Sequence, residues 1–299
     1  MIDKLLIATK GVAMGAADVV PGVSGGTIAL LTGIYPRLIN AITGLNFNSL
    51  KSLFKGNIKE FWKAIDGNFI LPLLIGIALA FILLAHPIKY AITNHPIPTW
   101  SFFFGLIIAA AILIIQHIPN KTTSNYLWII PGIIFGFWIG SLSSIPFPSN
   151  QIAVLVAGMI AICAMILPGI SGSFILVLLG MYEILLTAVK DLQWDVLTIF
   201  IAGAIVGLLI FSRVLKWILA KYYNMTLCFL SGLMLGSLVK VWPWKVIDKE
   251  TSQNHGQSLI NVFPSEAPIP QTGLAITMIA LAIFIVFFVD FLGQKLSKQ

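Results

Sequence analysis

The chain has 299 residues, of which 58% are hydrophobic and only 10% charged, with a formal net charge of +7. So few charged side chains cannot coat a soluble domain, and a mean hydropathy of +0.97 makes the bilayer the expected solvent. The eighteen basic residues are scattered at the ends of apolar runs rather than gathered on a polar module, so no nucleic-acid partner is expected and membrane lipids are.

The first residues lack a basic stretch, short apolar core and small-residue cleavage site, so no signal peptide is expected and Met1 is expected to open the mature chain. The first apolar segment is broken at Pro21 and Gly22, which predicts an interrupted hairpin over residues 5–43. Over residues 48–65, Leu50, Leu53, Phe54, Ile58, Phe61, Trp62 and Ile65 alternate with Lys51, Lys55, Lys59 and Lys63 at helical spacing. That pattern predicts an amphipathic helix on the cytoplasmic leaflet, the bland alternative being a solvated linker helix. Three apolar runs follow at 69–85, 100–115 and 126–140. A second broken hairpin is predicted over 150–190, with its break at Pro168 and Gly169, and then runs at 196–211, 226–239 and 274–289. With their flanks, these six runs approach the roughly 20 residues that a helical span needs. Residues 240–271 are polar and contain prolines, which predicts an external loop. Cys163 and Cys228 read as small buried hydrophobes, and His86, His95, His117 and His255 share no ligand spacing, so neither a disulfide nor a metal site is expected.

The two hairpins are related. Residues 21–42 align without gaps on residues 168–189 with ten identities in twenty-two positions, among them Pro21, Gly22, Ser24, Gly25, Gly33 and Tyr35 with Pro168, Gly169, Ser171, Gly172, Gly180 and Tyr182. Downstream, Phe102, Gly105 and Leu106 match Phe229, Gly232 and Leu233. The predicted fold is therefore an all-α polytopic membrane protein with two repeats, 1–146 and 147–299, each a re-entrant helical hairpin plus three transmembrane helices. Three spans is an odd number, so the second repeat is inverted. With both termini cytoplasmic, thirteen basic residues lie inside and five outside, as the positive-inside rule asks.

Irregular backbone at membrane depth survives only where protein or a polar cavity covers it. Ser24, Gly25, Gly26 and Thr27 are expected to open one half-helix, and Ser171, Gly172 and Ser173 its counterpart. Unpaired N–H groups, hydroxyls and glycines that allow close approach are phosphate-binding ingredients. The alternative is that both loops are packing or hinge elements. Asp18 is the best intramembrane ionisable candidate, either for coupling to protons or sodium or as a helix cap. Arg37 and Glu183, candidates for coupling or gating, fall about 22 Å past their breaks at 1.5 Å per residue, where snorkelling or surface pairing is the simpler role. Arg213 reads as a positive-inside anchor or as a phosphate-capturing group, and Asp290 as interfacial.

At residues 15–39 (GAADVVPGVSGGTIALLTGIYPRLI) and 167–186 (LPGISGSFILVLLGMYEILL) the chain resembles the PopT-type bacterial polyprenyl-phosphate transporters, formerly a family of unknown function. The resemblance implies import of undecaprenyl phosphate from the outer to the inner leaflet of the cytoplasmic membrane, with no catalysis and no cofactor. The loops are also similar to the Pro-Gly-x-Ser-Arg phosphate loop of undecaprenyl-pyrophosphate phosphatases. Here Gly25 and Gly172 stand where that arginine would be, and no glutamate pair matches the acidic motif, so hydrolysis lacks its acid, base and clamp. A small-anion carrier is the third reading. Residue patterns alone support the inverted-repeat membrane protein with anion loops.

Overall fold

The computed structural model describes residues 2–20, 22–142, 147–148, 150–248 and 258–296. Pro21 lies outside the described residues, as do Lys249, Glu250, His255 and Lys298, and the expected repeat boundary at 146/147 falls beside such a stretch.

In chain order, α1 (Ile2–Asp18), α2 (Gly25–Leu31) and α3 (Tyr35–Gly44) precede two short helices, α4 (Phe47–Phe54) and α5 (Ile58–Ala64). Then come α6 (Gly67–Asn94), α7 (Pro96–Gln116), the single turn α8 (Thr123–Tyr126) and α9 (Ile129–Ser141). The second half repeats this order with α10 (Gln151–Ile166), α11 (Gly172–Leu178), α12 (Tyr182–Lys190), α13 (Trp194–Lys221) and α14 (Tyr223–Ser237), the last running on into a 3-10 turn, Leu238–Val241. A two-stranded antiparallel hairpin, β1 (Lys245–Asp248) with β2 (Ser258–Asn261), and a final helix α15 (Thr272–Leu296) complete the described chain. The loop expected at 240–271 is thus partly strand, the one departure from an all-α fold among the described residues.

Among the described residues five helices are long and apolar enough to cross a membrane: α6, α7, α13, α14 with its 3-10 turn, and α15. The chain is a multi-pass membrane protein, and large apolar side chains such as Ile82 and Phe284 point outward. The expected sixth span at 126–140 is corrected to the 13 residues of α9. Pro131 lies in the first turn of α9, where its missing N–H costs no intrahelical bond, which suits a helix that begins just ahead of it. The expected single amphipathic helix at 48–65 is also corrected, because Gly56 at φ +81° breaks it into α4 and α5. Phe54 and Ile58 remain exposed on the pair, as an interfacial role requires.

Small residues set how the helices pack. α1 lies along α6, where a side chain on Gly76 would overlap Ala8 O and one on Gly15 would come within 2.7 Å of Ile77 O. α10 lies along α13 in the same manner, Gly158 against Phe200 and Gly207 against Met159. Two pairings cross between halves: Gly132 and Gly136 of α9 meet Phe229 and Leu233 of α14, and Gly105 of α7 meets Ile279 of α15. In each pair the contact numbers rise together, so the paired helices run parallel. Without a hydrophobic drive between helices in lipid, such close backbone approach supplies the dispersion energy that holds spans together. Tyr35, Phe69, Ile107, Leu233 and Met234 fill the fully buried centre.

Candidate functional site

The two related tips meet at the centre of this bundle. Gly22 and Gly169 occupy matching turns at φ +86° and +85°, a conformation that glycine alone adopts at little cost. Past each turn a serine caps a seven-residue helix: Ser24 accepts Gly26 N–H at 3.1 Å on α2, and Ser171 opens α11 without such a bond. The Ser24 hydroxyl also lies 3.1 Å from Met165 O and 3.3 Å from Leu167 O, across the tip-to-tip contact. Thr27 Oγ1 accepts Gly169 N–H at 3.1 Å, and the fully buried Tyr35 donates to Ile166 O at 3.1 Å. Backbone groups freed by the second break are therefore satisfied by side chains of the first, which is how a broken helix persists away from water.

The glycines at the tips have packing reasons of their own. A side chain on Gly26 would come 2.6 Å from Ile166 O, and one on Gly172 2.9 Å from Ala161 O. At Gly25 it would reach 2.5 Å from the Asp18 carboxylate, whose Oδ1 accepts Gly25 N–H at 2.6 Å. An aspartate thus holds the place at the start of α2 where an external anion would bind; Ser24 to Thr27 are all buried, and the N–H groups of Gly25, Gly26 and Thr27 are bonded to Asp18, the Ser24 hydroxyl and Ser24 O. The second tip is less closed. Ser171 Oγ and Ser173 Oγ are 2.7 Å apart, and a cavity of about 10 Å³ borders Gly22, Gly169, Ser171, Phe174, Ser237 and Lys240. That volume is at the lower limit for one water molecule, so a phosphate needs the tips or Lys240 to move. Beyond the far end of α2, a cavity of about 310 Å³ is lined by Leu31, Thr32, Gly33, His117, Tyr223 and Asp290.

The remaining candidates are dispersed. Arg37 makes a bidentate contact to Asp66 at 2.7 and 3.1 Å and covers the Phe69 ring at 4.5 Å, tying α3 to the start of α6. Arg213 donates to Leu209 O and, at 3.2 Å, to Leu45 O, closing the end of α3 from α13. Glu183 is exposed in the first turn of α12. Cys163 and Cys228 are free thiols. Two residues beside the tips escaped the reading by motif. Tyr35 belonged to the repeat identities, but its phenol bond across to Ile166 depends on the pairing of two segments 131 residues apart. Lys240 looked like the first residue of a loop; its only signal was a lone cation directly after an apolar run.

No solved structure matches the chain. It is 50% identical over 236 residues, 79% of this chain and 77% of the relative, to a polyprenyl-phosphate transporter of Vibrio cholerae serotype O1. It is 35% identical over 252 residues, 78% of this chain and 84% of the relative, to a polyprenyl-phosphate transporter of Staphylococcus aureus. The VCA0040-like family, described as undecaprenyl phosphate translocase-like, matches residues 14–259, a stretch that contains both tips. By that match over most of its length, and by its identity to both relatives, the chain belongs to this family.

Proposed function

We propose that the chain carries a polyprenyl phosphate, undecaprenyl phosphate in the bacterial cell, from the outer to the inner leaflet of the cytoplasmic membrane, where it is reused for cell-envelope and peptidoglycan synthesis. It acts as a transporter, not an enzyme. Its two halves, 1–146 and 147–299, are inverted repeats, each a re-entrant hairpin (5–43 and 150–190) followed by three membrane helices, of which α9 in the first half is short. The parallel pairing of α1 with α6, α10 with α13, α9 with α14 and α7 with α15 supports the inversion, since successive spans alternate in direction and equivalent helices then run oppositely. Both termini are cytoplasmic, so the β-hairpin faces outward.

The observation that carries this reading is the hydrogen-bonded meeting of two duplicated, broken helices inside the bundle. The phosphate binds there, between Ser24, Gly25, Gly26 and Thr27 on one side and Ser171, Gly172 and Ser173 on the other, while the prenyl chain stays in lipid. Rocking of one half against the other opens the tips to each leaflet in turn. Tight closure beside Lys240, against the larger cavity beyond α2, suits a state shut toward the β-hairpin face.

Asp18 supplies the coupling. Its carboxylate and the substrate phosphate compete for Gly25 N–H, and like charges in a low dielectric exclude one another. A proton or a sodium ion on Asp18 releases the donor and admits the phosphate. Asp18→Asn is expected to transport without dependence on the proton or sodium gradient; a gradient dependence identical to that of the wild type removes Asp18 from coupling. The function is tested in proteoliposomes by following leaflet exchange of polyprenyl phosphate alongside phosphate release from the pyrophosphate. Exchange without release is expected, and release without exchange overturns the proposal in favour of a phosphatase.

A further inference from the structure

Two lysines on the β-hairpin side of the tips are half-buried beside each other. Lys240, in the 3-10 turn after α14, holds its Nζ 4.1 Å from the centre of the Phe174 ring, on the tip helix α11. Lys245, on β1, holds its Nζ 4.8 Å from the centre of the Trp100 ring and donates to Lys240 O at 2.5 Å. Among the described residues neither has a carboxylate partner. α9, α11, β2 and the outer half of α7 carry no acidic side chain, and the Glu266 carboxylate accepts Phe263 N–H of its own turn.

Two ammonium groups withdrawn from water and set against each other are unfavourable twice over, through lost hydration and through repulsion. Aromatic faces offset part of that cost. A bound anion offsets the rest, and the arrangement is then explained by its ligand. The cavity that Lys240 lines also borders Ser171, whose hydroxyl adjoins that of Ser173, and Lys245 adjoins Lys240 through its bond to the Lys240 carbonyl, so a second cation and a second hydroxyl stand directly behind the two that line it. A carboxylate would be matched by one lysine and its water, whereas two positive charges with neutral donors match the dianion of a phosphate monoester.

We propose that Lys240 and Lys245 form a receiving site for a phosphate monoester on the β-hairpin face, from which Lys240 delivers the phosphate to Ser171 and the tips. This deepens the transport reading and rests on its choice of cargo. Burial, with the neighbouring Lys240 charge adding to it, pushes the Lys245 ammonium down to about 8. Below that pH Lys245 is charged and binds; above it the site loses a cation. A phosphate monoester gains its second charge near pH 6, so affinity is greatest from about pH 6 to about pH 8 and declines on either side.

The test uses the full chain in detergent, titrated calorimetrically with farnesyl phosphate, with farnesol and inorganic phosphate as separate arms. Lys240→Gln and Lys245→Gln are each expected to weaken farnesyl phosphate binding at least about tenfold at pH 7. Lys245→Arg is expected to bind at pH 7 and to keep binding above pH 8, because guanidinium does not deprotonate there. Binding by the double glutamine variant within about twofold of the wild type overturns the site, as does an alkaline limit unmoved by Lys245→Arg, which carries the test if the glutamine variants do not fold. Lysine-dependent binding of inorganic phosphate as strong as that of farnesyl phosphate supports the phosphate chemistry and assigns the ligand to water instead of lipid. Leaflet exchange is measured on the same preparations. Lysine-dependent binding without exchange in the wild type overturns the transport reading alone, and exchange with lysine-independent binding overturns the receiving site alone.

Discussion

Gly26→Val is expected to abolish leaflet exchange while the chain still inserts and folds. Its first added carbon would stand 2.6 Å from Ile166 O, with Ser24 Oγ at 3.2 Å on the same side, so the two tips have to part. Parting them breaks the bonds from Ser24 to Met165 and Leu167, from Gly169 to Thr27 and from Tyr35 to Ile166. Overpacking of this kind costs about 1–3 kcal/mol and each buried hydrogen bond about 1 kcal/mol more. An effect of that size, applied where the proposed mechanism brings the halves together in every cycle, is expected to reduce the exchange rate by more than about 100-fold. Gly273→Ala on α15, which meets nothing within 4 Å, is the matched control and should exchange normally. Thr27→Val removes the bond to Gly169 without adding volume and should slow exchange less than Gly26→Val does. Near-normal exchange by a correctly folded Gly26→Val would mean that tip contact is incidental to transport.

The second large effect is on stability. Gly236→Leu sets a side chain into the α9–α14 contact, where a Cβ overlaps Ile133 O and reaches 2.7 Å from Phe137 N and 3.0 Å from Gly136 Cα. All three neighbours are backbone atoms of helices, which cannot swing aside as a side chain can. A loss of about 3 kcal/mol or more is expected, since overpacking is joined by the lost dispersion of a separated helix pair. Thermal unfolding in detergent checks it. Gly105→Leu, 2.6 Å from Ile279 O in the corresponding α7–α15 pair, should behave alike, and transport by either variant should fall only as far as the folded fraction falls. A melting temperature equal to that of the wild type for both variants would show that these pairs do not depend on backbone contact.

Much of the architecture follows from residue order alone. The apolar runs that became α6, α7, α13, α14 and α15 were legible because the length needed to cross hydrocarbon is a local property of a helix. The turns at Gly22 and Gly169 were legible because Pro-Gly followed by a serine that can cap a new helix marks a break, and the duplication announced that the interruption matters. Pro131 and Gly56 carry readable signals too, but the apolar patterns around them outweigh these, so residue order predicts α9 too long and α4 and α5 as one helix. Family membership was likewise readable in the two loop motifs.

What residue order could not convey is where the polar groups of the tips are aimed. The loop donors point inward: Gly25 N–H to Asp18 of its own hairpin, and the Ser24 hydroxyl to carbonyls more than 140 residues away that come within reach only once the two hairpins dock. The same holds for Lys240, which lies about 70 residues beyond Ser171 in the chain and becomes its neighbour only when α14 packs between α9 and the second tip. Chain order alone determined the spans, the breaks and their duplication, since each depends on a few neighbouring residues. Tertiary structure decided which groups share a site, since hydrogen bonds and charge pairs act over a few ångströms and are indifferent to distance along the chain.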